Sequence, residues 1–447
     1  MSEPTPPLRR NSLDLDRALA AAKADFVQRN PASAALHAEA ADVMPGGNTR
    51  TVLFYDPFPL VMRRGEGSRL FDADGHAYVD FLGEYSAGLY GHSHPAIRAA
   101  IDRTLDDGVS LGAHTVAEVE LARAVRARFP AMELLRFTNS GTEANLMAIA
   151  AARAETGRTH LMVFEGAYHG AGLAFPGGGT GPGNLPFPSV IAPYNDIETA
   201  TALIRRHAGE LCAVLVEPML GAGGCIPATS AFLRALRAAT ERCGVLLVFD
   251  EVMTSRLAPG GLQQVHAVQP DLTTLGKYLG GGMSFGAFGG RARIMQRFDP
   301  RRAGALPHAG TFNNNVLSMR AGLAGLTEVF TPQAAVELNA GGDELRMRLN
   351  ALCRSRHATM QFTGQGSLMT AHFQVGALHS ASDLAGGDPR LKELLFFHLL
   401  SHGIYAARRA MFTLSLPLDA ADHQALVDAV AGFLDRFAGF LDAKGVP

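Results

Sequence analysis

Residues 245–251 read Val245-Leu246-Leu247-Val248-Phe249-Asp250-Glu251, five apolar side chains in a row followed by two carboxylates. An unbroken apolar run of this length, entered from Gly244 and left through acid, predicts a strand buried on both faces, as in a parallel sheet covered by helices. Asp250 then stands at the carboxyl end of a central strand, where open α/β sheets bind their ligands. An aspartate there is either a turn or helix-capping residue or the partner of a cation.

Comparable short runs occur at 134–138, 160–165, 212–217 and 285–289, with helical patterns at 95–107, 117–129, 142–156, 198–208 and 230–242. Such alternation predicts βαβ units and a mainly parallel α/β sheet with helices on both faces. The pattern divides the chain into an N-terminal helical and β-meander segment (1–82), a catalytic domain (83–330) and a smaller C-terminal α/β domain (331–447). Residues 1–11 are Pro-rich and polar and are expected to be disordered. Two alanine-rich helices should follow, broken at Asn30-Pro31 because the residue before proline avoids the helical region. Residues 60–82 alternate and turn at 72–75, as a meander does. Further helices are expected over 315–330 and near 421–441, and the Gly/Pro-rich stretch 175–188 reads as a lid, an interface loop or a tolerated insertion.

Composition narrows the function. The 447 residues are 47% hydrophobic and 18% charged, which excludes global disorder. A formal charge of -2 without a basic block argues against a nucleic-acid surface, and no 18-residue apolar run offers a membrane span. Low charge with 49 glycines suits a buried subunit interface. Cys212, Cys225, Cys243 and Cys353 show no metal-ligand spacing, so no metal is expected, and they favour a reducing, cytoplasmic location.

One count is unusual: only Lys23, Lys277, Lys392 and Lys444 are lysines, so 36 of the 40 basic residues are arginines. Lys277 lies in Thr273-Thr274-Leu275-Gly276-Lys277-Tyr278-Leu279-Gly280, among apolar residues and glycines. A desolvated lysine has a lowered pKa and can form a Schiff base. A nucleotide loop would need Ser or Thr after Gly-Lys, and Tyr278 stands there instead. Taken alone, Lys277 is as readily structural as catalytic. In Phe137-Thr138-Asn139-Ser140-Gly141-Thr142-Glu143-Ala144-Asn145 a strand runs through small residues into a helix, which is either an ordinary capped terminus or a phosphate site. With Asp250 and Lys277 it completes a set: a phosphate cradle, a partner for a protonated pyridine nitrogen and an amine that captures an aldehyde.

The sequence resembles the class III aminotransferases of fold type I, which include glutamate-1-semialdehyde aminomutases, from about Leu36 onward. The resemblance rests on Pro45-Gly46-Gly47, Gly91-His92-Ser93-His94-Pro95, residues 139–144, Gly166-Ala167-Tyr168-His169-Gly170, Asp250-Glu251-Val252-Met253-Thr254 and Gly310-Thr311-Phe312, in the family's order. It implies a mainly parallel seven-stranded sheet and the cofactor pyridoxal 5'-phosphate. By the same resemblance Lys277 holds the cofactor as a Schiff base, Asp250 pairs with its ring nitrogen, and Ser140, Gly141 and Thr142 bind its phosphate. Tyr168 and Val252 would cover the two ring faces, and Thr311 would reach the phosphate in a neighbouring subunit, which implies a homodimer with shared sites.

After Asp250 the segment Ser255-Arg256-Leu257 departs from the aminomutase pattern, as does the stretch after Gly47. Both departures, together with the pair Arg408-Arg409, are similar to the bacterial β-amino acid aminotransferases of the β-phenylalanine type. The implied reaction moves an amino group from a β-amino acid to an oxo acid such as 2-oxoglutarate, by a ping-pong route. An aminomutase, or another ω-amino acid or amine transaminase, is the alternative. A substrate carboxylate calls for a bidentate arginine. Arg408 is the first choice, Arg50 the second, Arg409 the fallback, and Tyr85 a pocket wall.

Overall fold

The computed structural model describes residues 12–441, so the expectation for residues 1–11 lies outside the described residues. The centre is a seven-stranded sheet. Across it the strands run Leu134–Thr138, Gly286–Gly290, Leu272–Gly276, Leu246–Asp250, Leu211–Val216, His160–Phe164 and Ser189–Ala192. Only Gly286–Gly290 runs antiparallel to its neighbours. Its small residues are required by crowding, since a Cβ on Gly286 would collide with the Ser140 carbonyl oxygen. Leu246–Asp250 and Leu211–Val216 are buried at every position, as the apolar runs demand.

Two of the seven strands have no counterpart among the apolar runs of the sequence. Ser189–Ala192 is short and only partly buried, and Leu272–Gly276 carries Thr273 and Thr274 inside the core, which breaks the apolar run. The helix expected over 315–330 is Val316–Ala324 followed by a wider turn, Gly325–Val329, where Gly325 packs against Tyr90. The other helices of the sheet domain fall within a residue or two of expectation, Ser230–Cys243 for 230–242 among them, whereas the one expected near 421–441 is Ala420–Arg436 followed, after a break at Phe437, by the short Ala438–Leu441.

Helices Ser12–Arg29 and Pro31–Val43 do break at Asn30, and the meander comprises Met62–Glu66, Arg69–Asp72 and Ala77–Asp80. Ile404–Tyr405 adds to the meander in parallel with Ala77–Asp80. Leu15, Leu19, Phe26 and Tyr55 share a hydrophobic cluster with Leu395, Phe397 and Phe433. We retain the division at 82 and 330 as a proposal, with the two outer segments sharing one core. Among the described residues no helix is long and apolar enough to cross a membrane. The segment around 175–188 is a loop with one helical turn, Pro176–Gly178, pinned by Asn184 to the backbone of Ala174.

Candidate active site

The carboxyl ends of the strands meet a cavity of about 750 Å³. Three chain segments deliver its chemistry, each placed by the end of a strand. Leu134–Thr138 passes through Asn139 into helix Gly141–Thr156, capped by Ser140, whose Oγ accepts from the Glu143 backbone N–H at 3.2 Å. The first-turn N–H groups have no intrahelical acceptor and carry the positive end of the helix dipole, so they suit a phosphate. Gly141 has no room for a side chain, since a Cβ would lie 2.6 Å from Val252.

Asp250 ends its strand buried beneath the cavity. Its Oδ2 accepts from Asn145 Nδ2 and from His169 Nδ1, both at 2.8 Å, and its Oδ1 accepts from the Val252 N–H at 3.0 Å. A carboxylate only accepts, so His169 carries its proton on Nδ1. Asn145 is fixed in turn by Thr274 Oγ1, which donates to its Oδ1 at 2.7 Å. His169 and Asn145 lie within or beside the family motifs, but their spacing assigns them no such role, and Glu217 merely ends an apolar run in the sequence. Glu217 is buried at the cavity wall and accepts from the N–H groups of Tyr168 and Gly221, both at 2.9 Å. Burial raises its pKa, with a contribution from Asp250 that His169 opposes.

Lys277 follows Leu272–Gly276 directly, in a left-handed conformation (φ 55°). Its Nζ donates to the Tyr85 carbonyl at 2.9 Å. Desolvation, reinforced by the Arg409 guanidinium, lowers its pKa to about 8, while Asp250 acts in the opposite sense. This is the lowered amine that the sequence context led one to expect.

Tyr168 and Val252 both line the cavity, and Tyr168 is half exposed rather than a core residue. Tyr85 also lines it, with Arg50 at 5.6 Å and Arg409 at 5.2 Å from its ring centroid. Arg50 is ion-paired with Glu84. Of the three candidate arginines, Arg409 and Arg50 line the cavity, whereas Arg408, the first choice from sequence, is exposed and does not. The two arginines are the middle residues of a turn closed by the Ala410 N–H donating to the Ala407 carbonyl at 2.7 Å, and of the two it is Arg409 that lines the cavity. Thr311 does not line the cavity within one chain; it and Phe312 are exposed on the loop before Val316.

The segment after Asp250 is anchored by one side chain. Arg256 is fully buried, its Nε donating to Ser367 Oγ at 3.1 Å, its Nη1 to the Ser86 carbonyl at 3.2 Å and its Nη2 to the Leu414 carbonyl. It ties the Tyr85 loop to the C-terminal region. A smaller surface pocket of about 330 Å³, lined by Arg158, Arg237, Arg291 and Arg293, lies apart from this chemistry. Three of its guanidinium groups are engaged by Asp271 and Glu155, and that of Arg158 by backbone carbonyls.

These parts fit pyridoxal phosphate: a helix terminus for its phosphate, a buried carboxylate braced by two donors for its ring cation, and an amine of lowered pKa for its aldehyde. Comparison with known proteins agrees. A β-phenylalanine transaminase of Variovorax paradoxus is 56% identical over 427 residues, covering 96% of this chain and 98% of the relative. The crystal structure of a β-phenylalanine aminotransferase from that organism superposes with a TM-score of 0.94 at 55% identity, covering 96% of this chain and 99% of the other. A structure described as a transaminase with PLP bound has a TM-score of 0.84 at 34% identity, covering 92% of this chain and 98% of the other. The model of the family "Aminotransferase class-III" matches residues 54–406, and the chain belongs to that family, a pyridoxal-phosphate-dependent aminotransferase of fold type I.

Proposed function

We propose that this enzyme takes the amino group of a β-amino acid with an aromatic side chain, such as β-phenylalanine, and gives it to an oxo acid such as 2-oxoglutarate, in two half-reactions of a ping-pong cycle. The observation that carries this reading is the placement of Arg50 and Arg409 beside the Tyr85 ring, in the cavity that holds Lys277. The similarity to a β-phenylalanine transaminase over nearly the whole chain supports it.

When bound, pyridoxal phosphate supplies the electrophilic carbon that takes up the amine and the electron-poor ring that accepts electrons from the reacting carbon. The residues supply the rest. Ser140, Gly141 and Thr142 would hold the phosphate, Tyr168 and Val252 the ring faces, and Asp250 the proton on the ring nitrogen. His169 and Asn145 orient the Asp250 carboxylate by donating to it. Lys277 Nζ, once displaced by the donor amine, takes the proton from the amine-bearing carbon of the donor and returns one to the corresponding carbon of the acceptor. With a pKa lowered to about 8, its neutral form is available near physiological pH.

Arg409, which has no acidic partner among the described residues, would take the carboxylate common to donor and acceptor. Arg50 would take the second carboxylate of 2-oxoglutarate, at the end of the cavity that otherwise admits the aromatic side chain. Arg408, exposed, is given no part. Thr311 would serve the site of a second copy, so the working unit would be a homodimer, which we place in the cytoplasm. The test is a panel of α-, β- and ω-amino donors against 2-oxoglutarate, pyruvate and no acceptor, read by the keto product. Turnover of β-phenylalanine only when an oxo acid is present supports the reading. Turnover without any acceptor would indicate an aminomutase instead.

A further inference from the structure

Glu84 is the one carboxylate that pairs with either guanidinium beside Tyr85 among the described residues. It is held there at a conformational cost. Gly83, Glu84, Tyr85 and Ser86 all have positive φ (51°, 46°, 52° and 77°), and three of the four carry side chains that disfavour this region. The turn is fixed from several sides: Asp80 Oδ1 accepts from the N–H groups of Leu82 and Gly83, both at 2.9 Å, and Arg256 donates to the Ser86 carbonyl. Consecutive residues of the turn thereby perform separate tasks. The Tyr85 carbonyl receives Lys277, the Tyr85 ring lies against both arginines, and the Glu84 carboxylate meets Arg50.

The balance of charge shows what this pair does. Two guanidinium groups face the substrate region, and Glu84 cancels one of them. A donor with a single carboxylate needs one arginine, and its apolar side chain would then lie beside a neutralised pair. A dicarboxylic acceptor needs both, so its second carboxylate must take the place of Glu84. The Arg50 and Glu84 side chains are 43% and 55% exposed, so the pair is weak and Glu84 can return to water without a burial penalty.

We propose that Glu84 is the exchangeable counter-ion of Arg50, capping the guanidinium while an apolar side chain occupies that end of the cavity and yielding to the second carboxylate of a dicarboxylic oxo acid. This rests on the reading above that Arg50 receives that carboxylate. Glu84 is then a specificity-determining residue for both half-reactions, with opposite effects on the two.

Steady-state kinetics of the Glu84→Gln holoenzyme test it, because in a ping-pong cycle kcat/KM for each substrate reports its own half-reaction. The ratio of kcat/KM for 2-oxoglutarate over pyruvate should rise about fivefold, and kcat/KM for β-phenylalanine should fall by a similar factor, within the range of an exposed pair. In an Arg50→Gln background the same substitution should change neither. A ratio that is unchanged or falls in Glu84→Gln, or an effect that persists without Arg50, overturns the proposal. The two levels separate cleanly. If Arg50→Gln alone leaves the preference for 2-oxoglutarate intact, the assignment of Arg50 fails and takes the proposal with it. If Arg50→Gln removes that preference and Glu84→Gln leaves it untouched, only the role of Glu84 fails.

Discussion

Asp250 Oδ2 accepts from His169 Nδ1 at 2.8 Å, a bond between two buried side chains 81 residues apart in the chain. It makes His169 a positioning residue for the carboxylate expected to face the cofactor's ring cation. A hydrogen bond to a charged group is worth about 1.5–3 kcal/mol, so His169→Ala should weaken cofactor binding roughly ten- to a hundredfold. Asp250→Asn removes one partner of a buried charge pair and should cost about 3–5 kcal/mol, roughly a hundredfold to several-thousandfold. Titrating apoenzyme with cofactor by absorbance would rank the two, and a His169→Ala protein binding as tightly as the parent would remove the assigned role.

Lys277 should reveal its lowered pKa in the kinetics of cofactor capture. A lysine with a pKa near 8 becomes neutral well below the pH at which an ordinary one does, so its nucleophilic form grows as pH rises through about 8. The rate at which apoenzyme captures the cofactor aldehyde should rise with pH around a midpoint near 8 and level off above it. Arg409→Ala removes the positive neighbour that lowers this pKa, so the midpoint should move upward. A midpoint near the ordinary lysine value in the unmodified enzyme would contradict the environment described.

Arg408 and Arg409 are adjacent in sequence and should behave differently. Truncating a buried partner of a substrate carboxylate typically costs about 2 kcal/mol or more, so Arg409→Ala should lower kcat/KM for donor and acceptor about 30-fold or more. Arg408→Ala should change either by less than about twofold, because an exposed charge is screened by water. Equal effects from the two would mean that the chain around 405–409 is turned the other way.

Much of the fold was legible because runs such as 245–249 are apolar on both faces, a pattern that suits a helix-covered parallel strand and few other short elements. Leu272–Gly276 was not legible because Thr273 and Thr274 interrupt its apolar run, and Thr274 is buried for a polar purpose, donating to Asn145. Lys277 and Asp250 stood out by rarity and by position at strand ends. His169, Asn145 and Glu217 did not, since each acquires its role only through partners distant in sequence, and no local spacing records that. Nor could the choice between Arg408 and Arg409 be read. The strand before them, Ile404–Tyr405, is only two residues long, too short to reveal which side chains face inward.

Arg256 accounts for part of the departure after Asp250, and its removal should be felt in stability. Arg256→Ala would leave a cavity and unpartner the carbonyls of Ser86 and Leu414, costing about 3 kcal/mol or more. Chemical denaturation of the holoenzyme should show the midpoint falling accordingly. A change below about 0.5 kcal/mol would mean that the turn at 83–86 is held without it.

The central claim is that the cofactor is joined covalently to the amine at position 277. Borohydride reduction of freshly reconstituted enzyme, followed by digestion and mass mapping, tests it directly. One reduced pyridoxyl adduct should be found, on the peptide containing Lys277, and Lys277→Ala should carry none. An adduct on Lys23, Lys392 or Lys444 instead, or no adduct on active protein, would contradict the account.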